Sequence, residues 1–86
     1  MKEYIYPAVV AFGYDGGKLW VANFPGLQGC WVEGEDRSDV IERAPDVLAE
    51  YIKSCIAAEW HVPAAPDRAE LEAADAGEVI MIKTCI

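Results

Sequence analysis

The sequence predicts a single α+β domain, made of one sheet and one layer of helices. Three features indicate it: strand-like segments near the N-terminus, one long segment with helical periodicity in the middle, and an apolar run at the C-terminus. The chain has 86 residues, which is too short for two hydrophobic cores. We therefore treat residues 1–86 as one domain.

Three antiparallel strands are predicted in the first part of the chain. Residues 4–12 carry no charge and are rich in β-branched and aromatic side chains. The Asp15-Gly16-Gly17 segment has the residue types of a hairpin turn and leads to a second strand at residues 18–24. A loop rich in proline and glycine then precedes a third strand at residues 30–33.

A long helix is predicted to follow Asp36, which is a favourable N-cap residue. Apolar residues then recur every three or four positions, as on one face of a helix. They are Val40, Ile41, Ala44, Val47, Leu48, Tyr51, Ile52, Cys55 and Ile56. Pro45 lies inside this segment and removes one backbone hydrogen bond, so we expect a continuous but bent helix.

A short helix and a fourth strand complete the domain. Pro66 and Asp67 are typical helix-start residues, and they predict a helix over residues 67–74. Residues 78–86 form a mostly apolar run of strand length. The predicted order of elements is therefore βββααβ.

Both faces of the predicted sheet are apolar, although a helical layer can cover only one of them. An uncovered apolar face marks a contact with another protein, so we expect a second subunit or a partner there. The alternative is that loops and large aromatic side chains fold over it. The residues predicted to form an oligomer interface are Tyr4, Tyr6, Trp20 and Met81.

Composition excludes several classes of function. Fifteen acidic residues against seven lysines and arginines give a formal net charge of −8, which disfavours direct nucleic-acid binding and favours a basic partner. The N-terminus lacks a signal-peptide pattern, and no apolar run is long enough to cross a membrane, so we expect a soluble cytoplasmic protein. Cys30, Cys55 and Cys85 are widely spaced, which predicts free thiols and no metal site.

An ordered set of short motifs resembles the HicB-like antitoxin family. The motifs are Tyr6-Pro7-Ala8, the Asp15-Gly16-Gly17 turn, FPGLQGC at 24–30, Gly34-Glu35-Asp36, a helix with Ala44, Leu48, Tyr51 and Ile52, and Val62-Pro63 with Pro66. Gly26 and Gln28 stand where the family pattern has aspartate and proline. The motifs span about three quarters of the chain, in the order of the family.

The resemblance implies a partial RNase-H-like fold with helices on one face of the sheet. It implies the sheet order 3-2-1-4, with the last strand parallel to the first. It also implies a function, the binding of a small basic mRNA-cleaving toxin of the HicA type, with no cofactor. The chain ends at Ile86, directly after the fourth strand, so we expect no separate DNA-binding domain.

Catalysis is not expected. A nuclease of the RNase H type needs several carboxylates around two metal ions, usually with one on the first strand. Residues 4–12 contain no carboxylate, and His61 is the only histidine. We therefore predict neither catalytic residues nor a metal site.

The predicted helix and the strand before it are strongly acidic. Residues 33–50 hold seven acidic residues against two arginines, which indicates either a solvated helix face or a docking surface for a basic partner. Trp31 is the candidate anchor of such an interface. The predicted partner-binding residues are Trp31, Glu33, Glu35, Asp39, Glu42 and Asp46. The alternative function is an orphan homo-oligomer, dimer or tetramer, with a structural or small-ligand-binding role.

Overall fold

The computed structural model describes residues 2–13, 17–74 and 77–86 of the chain. Its elements are β1 Glu3–Phe12, β2 Trp20–Asn23, β3 Trp31–Gly34, α1 Arg37–Ala57, α2 Arg68–Ala73 and β4 Glu78–Cys85. The α+β class and the order βββααβ are confirmed. Asp15 and Gly16 of the predicted hairpin turn lie outside the described residues.

The four strands form one open sheet in the order β3-β2-β1-β4, as predicted. The predicted direction of the last strand is wrong, because β4 runs antiparallel to β1, with Glu3 opposite Cys85 and Val10 opposite Glu78. The route of the chain explains the difference. Arg37 at the start of α1 binds Glu78 at the start of β4, so α1 and β4 begin at the same end of the sheet. Between Ala57 and Glu78 the chain therefore returns to that end.

Helix α1 is continuous over 21 residues and includes Pro45. Its fully buried residues follow a spacing of three or four, and they are Val40, Ala44, Leu48, Ile52 and Cys55. They pack on one face of the sheet, which we call the helix-covered face. That face contributes Tyr6, Ala8, Val10, Ala22, Phe24, Val32 and Ile82 to the core.

The opposite face, which we call the second face, is partly covered by the chain itself. Successive strand residues point to opposite faces, so Val9, Ala11 and Val21 lie on the second face. Leu71 and Ala74, from α2 and its C-cap, line a cleft of about 210 Å³ with these three residues. The prediction that the helices share one face therefore holds for α1 but not for α2.

Part of the second face stays exposed beyond α2. Ile5, Trp31 and Met81 are 44%, 50% and 39% exposed there, whereas Pro7 on the same face is fully buried. The chain itself thus covers the centre of the second face with α2, rather than with the loops and aromatic side chains of the alternative, and leaves the margins exposed. Among the described helices, none is long and apolar enough to cross a membrane.

Candidate partner-binding surfaces

The acidic residues of α1 form one continuous stripe on its outer side. Asp39, Glu42, Asp46 and Glu50 lie three or four residues apart, which places them on one face of the helix. This face is opposite the buried one, and Glu42, Asp46 and Glu50 are exposed. We call these four residues the helix stripe.

A second acidic surface lies at the β3 edge of the sheet. Trp31 and Glu33 are exposed and alternate with Val32, which is buried in the core, so both point away from α1 on the second face. Glu35 follows directly after β3 and is exposed. We call Trp31, Glu33 and Glu35 the edge surface. The predicted partner-binding residues are thus divided between two surfaces on different sides of the molecule.

Arg43 joins the two acidic regions. Its Nη2 donates to the main-chain oxygen of Glu33 at 2.6 Å and to Asp39 Oδ2 at 2.9 Å. Gly34 leaves room for this contact, because a Cβ there would lie 2.6 Å from Arg43 Nη2. Asp39 is therefore paired within the chain, whereas the other acidic residues of the predicted site have no ion pair among the described residues.

Charge is balanced at one edge of the sheet and unbalanced elsewhere. At β4, Glu78 pairs with Arg37 at 2.6 Å and Glu3 pairs with Lys83 at 3.3 Å. The predicted partner-binding acids without an ion pair in the described part of the chain are Glu33, Glu35, Glu42 and Asp46. Both the helix stripe and the edge surface therefore carry unpaired negative charge.

The residues predicted to form an oligomer interface do not lie together. Tyr6 is only 4% exposed, and its hydroxyl donates to the main-chain oxygen of Pro63. Tyr6 is therefore a core residue, and the prediction that it lies at an interface is corrected. Tyr4 and Trp20 are half-buried against the core on the helix-covered face. Of these four predicted interface residues, only Met81 is exposed on the second face. The sequence shows that both faces are apolar but not which one α1 covers.

The three cysteine thiols and the cleft on the second face have few reactive or polar groups. Cys30 and Cys55 are buried and Cys85 is exposed, and all three are free. Burial, with a smaller contribution from Cys55, raises the pKa of the Cys30 thiol to about 11, so it stays protonated and unreactive. Among the described residues that line the cleft, Asn23 supplies the only polar side chain. Within residues 2–13, 17–74 and 77–86, no group of three potential metal ligands is present.

Sequence analysis did not single out one exposed apolar pair. Ile56 is 50% exposed and Trp60 is 70% exposed, at the C-terminal end of α1. Ile56 fits the apolar periodicity of the helix, so nothing in the sequence indicates that its side chain is exposed. Trp60 lies outside both acidic surfaces, which makes it a useful control residue.

Comparison with known proteins places the fold. No protein-family model matches the sequence, and no curated protein matches it significantly. The N-terminal domain of the Burkholderia pseudomallei antitoxin HicB superposes with a TM-score of 0.69 at 15% identity, over 96% of this chain and 98% of that one. A chain of a toxin-antitoxin complex from Streptococcus pneumoniae gives 0.72 at 16% identity, over 98% and 70% of the two chains. A chain of the HicA3 and HicB3 toxin-antitoxin complex gives 0.63 at 21% identity, over 96% and 98%.

The fold is therefore that of a small α+β domain with an open antiparallel sheet. More particularly, it is the fold of the HicB antitoxin N-terminal domain, and the resemblance seen in the sequence motifs is confirmed at this level.

Proposed function

We propose that this protein is an antitoxin of a HicA/HicB-like toxin-antitoxin system, and that it binds and occludes a small basic mRNA-cleaving toxin. The observation that carries the proposal is the excess of unpaired acidic side chains on α1 and β3, in a domain with the HicB fold. Occlusion needs only surface complementarity, so the proposal requires no chemistry on this chain.

The edge surface is the proposed centre of the contact. Binding energy concentrates at large aromatic anchors that a partner can cover and desolvate. Trp31 is such a residue, half-exposed beside Glu33 at the margin of the sheet. Truncating Trp31 is therefore expected to speed dissociation of the complex.

The helix stripe is the proposed source of electrostatic steering. It has exposed carboxylates at Glu42, Asp46 and Glu50. Opposite charges raise the rate of encounter, and mutation of charges at the rim of an interface mainly changes that rate and its dependence on salt. Reversing Glu42 is therefore expected to slow association at low salt and to have little effect on dissociation.

The same charge distribution supports the remaining parts of the proposal. Nucleic acid would be repelled by the carboxylates of both surfaces, so we propose that this domain does not bind it directly. An mRNA-cleaving toxin acts in the cytoplasm, and its antitoxin is proposed to act there as well.

Growth rescue tests the function. Any small basic protein encoded beside this gene is induced in bacteria, alone and together with this chain. We expect it to arrest growth alone, and the wild-type chain to restore growth. Trp31→Ala should weaken rescue, whereas Trp60→Ala, which removes an exposed tryptophan elsewhere, should not.

The charge contribution has its own control. Glu42→Lys and Glu70→Lys change the net charge equally, and both replace an exposed helical glutamate. Only Glu42→Lys should slow association. If no neighbouring basic protein is neutralised, the orphan homo-oligomer replaces the proposed function.

A further inference from the structure

The alternation of hydrogen-bonded pairs between β1 and β4 shows which backbone groups of β4 point away from the sheet. Lys2 and Ile86 exchange both of their hydrogen bonds, at 2.8 and 3.0 Å. Such pairs alternate along an antiparallel ladder, so Tyr4, Tyr6 and Ala8 also exchange hydrogen bonds with their β4 partners. Pro7, which has no N–H, stands opposite Met81 at a position that requires none.

The outer edge of β4 is therefore open. The residues that direct their N–H and C=O groups away from the sheet are Val79, Met81, Lys83 and Cys85. No other described residue hydrogen-bonds to these backbone groups. The strand is eight residues long and contains no proline, whereas β3 at the opposite edge has four residues. A long open edge is a template for pairing with another strand.

Electrostatics favours a second copy of this chain at the β4 edge over a basic partner. The carboxylates nearest this edge, Glu3 and Glu78, are already paired with Lys83 and Arg37. Within the described residues, β4 itself carries no unpaired acid, whereas Glu42 and Asp46 of α1 and Glu33 of β3 are unpaired. Two copies of an acidic chain can therefore meet at β4 without bringing uncompensated charges of like sign together.

We propose that two copies of this chain pair antiparallel through β4, around a two-fold axis at Ile82. In this register Val79 stands opposite Cys85 of the second copy, and Met81 stands opposite Lys83 of the second copy. Each of the four outward residues then exchanges two hydrogen bonds with a partner. A register centred on Met81 would leave Cys85 unpaired, so the axis at Ile82 uses the edge more completely.

The pairing also covers exposed apolar surface. Met81 is 39% exposed, and the aliphatic stem of Lys83 from the second copy would lie across it. The two sheets become one, with the β3 strands at its outer edges. The helix stripe and the edge surface of each copy remain accessible, so dimerisation is compatible with binding of another protein and independent of it.

Light scattering after size exclusion tests the dimer. At a concentration of about 0.1 mM we expect a particle of twice the 9.4 kDa chain mass. Met81→Lys sets two lysines directly opposite each other, and we expect dimer affinity to fall about tenfold or more. Met81→Glu sets a glutamate opposite Lys83 of the second copy, and its dimer should be at least as tight as the wild type.

Ile5→Lys is the matched control. Ile5 is 44% exposed on the same face but lies on β1, one strand away from the edge. Pairing through the edge predicts that Ile5→Lys leaves the dimer intact, whereas packing of the two sheets face to face predicts that it breaks the dimer. A monomeric wild type, loss of the dimer in Ile5→Lys, or equal weakening by Met81→Lys and Met81→Glu would each overturn the proposal. Urea unfolding of each variant shows that the fold is retained.

Discussion

Glu59 ends α1 in the left-handed backbone region, with φ of 60°. The N–H groups of Glu59 and Trp60 donate to the main-chain oxygens of Ile56 and Cys55, the arrangement of a Schellman C-cap. Glycine is usual at this position, because any other residue has a cost of about 1 kcal/mol from its Cβ. Strain is thus stored at the end of the longest helix.

Replacement of Glu59 by glycine should relieve that strain. We expect Glu59→Gly to raise the free energy of unfolding by about 1 kcal/mol, measured by urea denaturation. Ala58→Gly is the control, because Ala58 has an ordinary helical φ of −85° and should lose stability instead. Lower stability of Glu59→Gly would show that the side chain matters more than the backbone.

Cys30 predicts a loss of stability at alkaline pH. Burial raises its folded-state pKa to about 11, whereas an unfolded thiol titrates near about 8.5. The unfolded state therefore loses its proton first, and the stabilisation present below about pH 8.5 falls as the pH rises towards 11. By pH 10 the loss should reach about 2 kcal/mol.

Urea denaturation of the wild type and Cys30→Ala between pH 7 and 10 measures this effect. The variant should be less stable at pH 7 because it lacks the buried sulfur, and its stability should vary less with pH. Burial raises the pKa of Tyr6 too, with smaller contributions from Tyr4, Cys55 and Tyr51, so higher pH would add a second titration. Equal pH dependence of the two proteins would remove Cys30 as the cause.

At the scale of elements, Pro45 is the clearest conflict between local preference and fold. It lies half-buried inside α1, where it removes a donor to the carbonyl four residues earlier and crowds that carbonyl. The buried face from Val40 to Cys55 outweighs this cost, so the helix continues. Packing, rather than helix propensity, therefore maintains α1.

Pro45→Ala should restore the missing hydrogen bond. We expect the free energy of unfolding to rise by about 1–3 kcal/mol, part of the full penalty of an interior proline. Ala49→Pro, at another half-buried position of the same helix, should lower it by about 3 kcal/mol. A loss of stability in Pro45→Ala would mean that the proline ring itself is needed for packing.

The elements differ in how well the sequence predicts them. Helix α1 was predictable because its apolar residues keep a spacing of three or four over a segment much longer than a typical strand. The direction of β4 was not, because it depends on the end of the sheet to which the chain returns after α1. The side on which α2 lies depends on the route of that return, and its six residues give no strong periodicity.

The candidate site was predictable in composition but not in arrangement. Acidic residues on a helix remain at the surface in any fold, so Glu42 and Asp46 were found from sequence. Their separation from Trp31 and Glu33 follows from α1 packing on the helix-covered face, which long-range contacts decide. Tyr6 was misplaced for the same reason, since alternation shows that two residues share a face but not which face is covered.

At the scale of the whole molecule, charge and edges define three separate surfaces. The helix stripe and the edge surface carry unpaired carboxylates, whereas the β4 edge is neutralised by Arg37 and Lys83. We propose that the first two face a basic protein and the third faces a second copy. A small domain gains stability from such contacts, because it buries little surface by itself.

Light scattering after size exclusion tests the central claim most directly, with this protein mixed with any small basic protein encoded beside its gene. Our account predicts a mixed complex that forms rapidly at low salt, forms more slowly as salt rises, and is weakened by Trp31→Ala but not by Trp60→Ala. Separate elution of the two proteins at every salt concentration, with this chain unchanged in mass, would contradict it.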